Sequence, residues 1–202
     1  MVLRITIEFY SKERKKKMPD RNREIEAIVD EIIKTNSLNR PGFDLTSFLR
    51  QKEQFEIGLQ NLEDDDTTGL LLVNEQETIA NTHTHRLIII NSRLVFQKNY
   101  FQRRRFIIAH EYGHFKLHMN GEEIYAHRDY SMRKAPIEKE ADFFARCLLM
   151  PRELVHNTLS PNVVGSSNLK EKIALIARTF NVTEKKARQR LLEDLAINEQ
   201  RI

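Results

Sequence analysis

Cysteine is almost missing from this chain: Cys147 is the only one in 202 residues. No intrachain disulfide can form, which excludes the small secreted scaffolds stapled by several bridges and makes a reducing cytoplasm the expected compartment. Tryptophan is absent, and glycine and proline are scarce at 6 and 5 residues. With no internal repeat or low-complexity tract either, collagen-like and linker-dominated chains are excluded. No stretch approaches the roughly 20 apolar residues of a membrane span, so no membrane partner is expected. Residues 1–17 lack the apolar run of a secretory signal, and Lys15-Lys16-Lys17 follows the start rather than leading it. A large excess of one charge is also lacking. Thirty-three Lys and Arg against 29 Asp and Glu leave a net +4, a weak pointer to nucleic acid on its own.

What is present is enough for a core, since 40% of the residues are apolar and the length suits one catalytic domain with a small appendage. Residues 2–9 alternate like a short strand, and a solvated basic run follows at 12–17. Asp20 caps an expected helix to about Lys34, with Ile25, Ile28, Val29, Ile32 and Ile33 as its apolar stripe. Asp44 opens a short helix to about Gln51. Four strands are expected at Phe55–Leu59, Gly69–Asn74, Glu77–Thr82 and Arg86–Asn91, paired antiparallel because their connections are short. Helices follow at about 98–118, 136–150, 169–180 and 184–196, with another short one starting at Pro151 and a linker at Pro161–Ser167. The class is α+β, with a small antiparallel sheet packed on the 98–118 helix. The division is a domain over 1–160, residues 1–19 being its N-terminal strand and basic run, and a C-terminal helical region over 161–202.

The chemistry concentrates in His110-Glu111-Tyr112-Gly113-His114. Residues four apart on a helix share a face about 6 Å apart along the axis, so two imidazoles can converge on one ion. Glu111 lies about 100° round from His110, beside the ion, where it can take the proton of an attacking water. This is the H-E-x-x-H arrangement of zinc peptidases. Gly113 costs about 1 kcal/mol relative to Ala inside a helix, which implies close approach of another element, such as a strand over the site. His118 is about 12 Å along the axis from His110 and cannot share the ion; it is expected at the helix end, near the substrate cleft. The third ligand falls on the next helix. Glu138 and Asp142 share a face there, Glu138 as ligand and Asp142 behind it, accepting a hydrogen bond from a ligand histidine. Glu140 is about 200° round from Glu138 and is expected to face away. With imidazole and carboxylate ligands the preference for zinc over manganese or another divalent ion is moderate.

The run Arg104–His114 followed by Leu117-His118, and Glu138–Ala145 ending in Leu148-Leu149-Met150-Pro151, resemble the two signature motifs of the ImmA/IrrE metallopeptidases. The resemblance covers roughly residues 20–155. It implies a gluzincin-like, that is zincin-like, fold with zinc on His110, His114 and Glu138 and with Glu111 as base. It also implies a cytoplasmic endopeptidase that cleaves a helix-turn-helix repressor of the Cro/CI type and so relieves repression. A regulator that binds a repressor or DNA without cutting, or a toxin-type effector, is the alternative. The chain departs from the pattern at Tyr112, where an aliphatic residue is more usual, and at Asp142, where Asn is frequent. The oxyanion needs a further donor, and Tyr125, His127 and Tyr130, between the motif helices, are equal candidates.

Residues 173–192 read as a helix-turn-helix, with Asn181 at the left-handed turn and Thr183 as a cap. Lys185, Lys186, Arg188 and Arg190 make its second helix basic, so DNA contact is one reading. A structural pair packed on the core, or a surface for a repressor, is favoured over it. His83 and His85 alternate on an expected strand edge, Cys147 reads as a small core residue, and Arg103-Arg104-Arg105 as a solvated helix start.

Overall fold

The computed structural model describes residues 21–62, 67–79, 82–119, 136–160 and 168–199. The strand at 2–9, the basic run, Asp20, the linker at 161–167 and the three oxyanion candidates Tyr125, His127 and Tyr130 lie outside the described residues. Residues 21–35 form α1, and Ile25, Val29 and Ile33, four apart, turn its apolar face into the core. Helix α2 spans Leu45–Lys52 and starts where expected, because an Asp44 carboxylate oxygen accepts from the Ser47 backbone N–H at 3.0 Å. Strands β1 (Glu56–Gln60), β2 (Gly69–Val73) and β3 (Arg86–Asn91) follow, then a single 3-10 stretch at Ser92–Phe96. Five helices complete the described chain: α3 (Tyr100–His118), α4 (Pro136–Leu149), α5 (Arg152–Thr158), α6 (Leu169–Phe180) and α7 (Glu184–Glu199). None of the helices is long and apolar enough to cross a membrane among the described residues.

The α+β class stands, but the sheet is mixed rather than antiparallel. Its order is β1-β3-β2, with β1 parallel to β3 and β2 antiparallel to it. The most apolar strand takes the centre, where Ile88 and Ile90 are fully buried. Because β3 inserts between its two predecessors, the short β1–β2 connection joins strands that are not neighbours, and it no longer sets the pairing of β1. The strand expected at 77–82 does not form among the described residues. The Ile79 N–H donates to the Thr84 carbonyl at 2.8 Å and the Thr82 N–H to the Ile79 carbonyl at 2.9 Å, closing a turn. His83 and His85 are exposed on that bend rather than on a strand.

Helix α3 lies between the sheet and α4. Every residue from Phe106 to His114 is buried, so the motif has protein on all sides. A Cβ on Gly113 would meet Phe144 Cδ1 at 3.0 Å and Ala141 Cα at 3.2 Å. The close approach inferred from this glycine is therefore real, but it comes from α4 and not from a strand. Tyr112 is fully buried among Phe48, Phe55, Phe115 and Phe144, and its hydroxyl donates to Glu53 Oε1 at 2.5 Å. Glu53 in turn holds Lys116 at 2.9 Å. An aromatic with a polar tip fits here because Glu53 supplies the partner that a buried hydroxyl requires. Tyr112→Ala is expected to cost about 3–5 kcal/mol in urea denaturation, as for other large-to-small aromatic truncations; a loss below about 1 kcal/mol would contradict this packing.

The C-terminal pair is joined to the rest by buried charge. Arg190 on α7 is 1% exposed and donates to the Met150 carbonyl at 3.0 Å and to Glu26 of α1 at 2.9 Å. Arg146 of α4 pairs with Glu193 at 2.6 Å. Cys147 is buried beside this cluster, and burial pushes its thiol up to about 12, so it is a core residue without thiolate character. Arg105 is not solvated as expected. It stacks over the Phe43 ring and donates to the Phe43 carbonyl at 2.6 Å, and burial lowers its guanidinium to about 10.

Candidate metal centre

One turn of α3 separates His110 from His114, and their Nε2 atoms stand 3.0 Å apart. Glu138, in the first turn of α4, faces both: Oε2 is 3.3 Å from His110 Nε2 and Oε1 is 3.1 Å from His114 Nε2. These are the three ligand types expected from the sequence, and they form the His-His-Glu group able to hold a metal ion among the described residues. Tetrahedral bonds of about 2.0–2.1 Å require ligand atoms about 3.3–3.4 Å apart, close to the separations seen. The donor chemistry fits as well. His110 Nδ1 lies 2.9 Å from Asp142 Oδ1, and a carboxylate only accepts, so Nδ1 carries the proton and the Nε2 lone pair points at the centre. Lone pairs and a carboxylate converging at this range repel one another unless a cation lies between them.

Asp142 meets His110 Nδ1 and stands outside the three converging ligand atoms. Burial works against its charge, but His110, Lys186 at 3.2 Å and Arg146 at 3.7 Å outweigh that and hold the carboxyl well below its usual range. Lys186 comes from α7 and also lies 3.7 Å over the Phe106 ring. The basic helix thus turns two of its four cations, Lys186 and Arg190, into the protein, while Lys185 and Arg188 are exposed.

His118 lies outside the His-His-Glu group, and its surroundings differ from those expected. Its Nδ1 lies 3.2 Å from His114 Nδ1, and its Nε2 lies 3.1 Å from Glu140 Oε2. Glu140 does not face away. It accepts from Arg21 of α1 at 2.9 and 3.1 Å. Burial lowers the pKa of His118, against the raising effect of its hydrogen bond to Glu140. Burial also opposes the charge of Glu140, but Arg21 and His118 overcome it and draw the pKa below the usual value. The i, i+4 spacing from His114 to His118 was a legible signal for this contact; Arg21, 119 residues from Glu140 in sequence, had none.

Glu111 is 1% exposed and lies under the start of β2. A Cβ on Gly69 would meet Glu111 Oε1 at 2.9 Å and Ile107 Cγ2 at 2.5 Å. Only a residue without a side chain fits there, so β2 begins directly against the candidate base. The glycine opening an apolar strand was the signal for this site residue. Displacement of a reacting group by about 1 Å can cost about 10²-fold in rate. On the peptidase reading that the sequence motifs imply, Gly69→Ala is therefore expected to slow peptide hydrolysis by one to two orders of magnitude with its metal content unchanged; wild-type turnover in this variant would show that β2 does not set Glu111.

The chain matches the Peptidase M78 family, the IrrE N-terminal-like domain, over residues 53–192. A Mycobacterium tuberculosis transcriptional regulator has the same fold, with a TM-score of 0.51 and 14% identity over 83% of this chain and 47% of that one. This chain therefore spans about half the length of that protein. No curated protein is similar enough to match. The match takes in both motif helices and well over half of the chain, and the chain belongs to the IrrE N-terminal-like (Peptidase M78) family of metallopeptidases.

Proposed function

We propose that this chain is a zinc-dependent endopeptidase that cuts a helix-turn-helix repressor of the Cro/CI type in the cytoplasm. The observation that carries the peptidase reading is the convergence of His110, His114 and Glu138 within 3.0–3.3 Å of one another, with the buried Glu111 one residue from His110. Zinc, when bound, supplies Lewis acidity that polarises the peptide carbonyl and makes the attacking water more acidic. Glu111 takes the proton from that water and returns it to the leaving amine. Its burial beside β2 keeps its carboxylate in place and limits competing solvent. Among the described residues strand β2 is at an end of the sheet order, so an extended substrate can add along its outer edge and bring a carbonyl to Glu111. The repressor as substrate rests on family resemblance, in keeping with the name of the structural neighbour.

DNA contact through α7 is the weaker reading, because Arg190 is buried against Met150 and Glu26 and Lys186 is engaged by Asp142. Incubating a Cro/CI-type repressor with zinc-loaded wild type and with Glu111→Gln tests the proposal. Fragments formed only with wild type are expected. A repressor left intact by the zinc-loaded wild type would remove it as substrate.

A further inference from the structure

We infer that His118, Glu140 and Arg21 form a directional positioning relay that fixes the tautomer of His114 and so presents His114 Nε2 to the metal. At one end of the relay the hydrogen-bonding role admits no choice. Arg21 only donates, and it donates to Glu140 Oε2 at 2.9 Å. The Glu140 carboxylate only accepts, so the His118 Nε2 that stands 3.1 Å away carries a proton. In a neutral imidazole the other nitrogen is then an acceptor. His118 Nδ1, 3.2 Å from His114 Nδ1, must receive its hydrogen bond from His114. His114 is thereby an Nδ1–H donor, and its Nε2 lone pair points at His110 Nε2 and Glu138 Oε1. Each link fixes the next, and the chain of bonds ends on α1, which lies outside both motif helices.

The two ligand histidines are therefore braced differently. His110 meets a carboxylate directly through Asp142, whereas His114 reaches one only through a second imidazole. Partners of this kind typically change metal affinity by about 10–100-fold when removed. The relay also explains the i, i+4 row of histidines at 110, 114 and 118: the first two bind and the third orients the second. It makes a specific demand of residue 118, which must accept at one end and donate at the other. Glutamine meets that demand through its carbonyl oxygen and amide NH2, while leucine fills similar space and meets neither requirement.

This inference rests on the metal-centre reading, and the experiment separates the two. Zinc affinity is measured by chelator competition for wild type, His118→Gln, His118→Leu and Glu140→Leu in the full chain, and metal-free Tm is recorded for each. His118→Leu and Glu140→Leu are expected to bind zinc about 10–100-fold more weakly, and His118→Gln within about threefold of wild type. Long-range 1H–15N spectra of the metal-free wild type are expected to show His114 protonated at Nδ1 and His118 at Nε2. Unchanged affinity in His118→Leu would overturn the relay. Equal large losses in the Gln and Leu variants would also overturn it, since residue 118 would then act as a ligand. If the variants fall below the wild-type metal-free Tm, the imidazole spectra of the wild type decide the matter, and the opposite tautomers refute the relay. If wild type itself binds no zinc, the metal-centre reading fails, and the same spectra still report on the hydrogen bonds.

Discussion

Glu111→Gln is expected to lower peptide hydrolysis by about 10²–10⁴-fold, the range supplied by a positioned general base, while zinc content stays that of wild type. The change keeps the size of the side chain and most of its hydrogen-bonding reach, but an amide cannot take up the proton of the attacking water. Glu111 is buried at 1% exposure, and its carboxylate lies against Gly69 and outside the His-His-Glu group. The substitution should therefore leave the metal's ligands untouched. Single-turnover hydrolysis of a peptide substrate and metal analysis of the same preparation form the measurement. A rate within tenfold of wild type would remove Glu111 as the base. Loss of zinc in this variant would mean that Glu111 holds the ion itself, contrary to the placement of Glu138.

Glu138→Ala is expected to have the opposite signature, with loss of the metal first and of activity as a consequence. Removing one of three protein ligands must cost more than removing a supporting partner, so zinc affinity should fall by more than about 100-fold. The effect is visible without any substrate. A ligand that binds only the folded state at about 100 times its Kd stabilises by about 2.7 kcal/mol, so zinc should raise the Tm of wild type and leave Glu138→Ala unmoved at the same concentration. A zinc-dependent rise of equal size in both proteins would place the third ligand elsewhere. The contrast between the two glutamates, one affecting rate and the other affinity, is the sharpest test of the roles proposed for them.

The local chemistry of this chain is legible in its sequence. The helix through His110 and His114, the Glu138 and Asp142 face, the Asp44 cap, the left-handed Asn181 and the boundaries of β3 all follow from side-chain types and from periods of 3.6 or 2 along one element. The sequence misleads where one element has to choose a neighbour. The parallel pairing of β1 is not legible locally because loop length constrains only strands adjacent in the sheet, and a turn through Ile79 and Thr84 stands where hydrophobicity alone suggests a strand.

The sequence by itself determined that His110 and His114 share a face with Glu111 beside them, because a helix fixes its own i, i+4 geometry regardless of the rest of the fold, whereas the packing of α4 on α3 brings Glu138 to them. Only the tertiary structure decided how that arrangement is held. Gly69 against Glu111, Lys186 on Asp142, and Arg21 behind Glu140 and His118 join residues 42, 44 and up to 119 positions apart. No local period reaches that far. Such contacts exist because α3 is buried between the sheet, α4 and their neighbours, where each polar group left by the motif must find a partner.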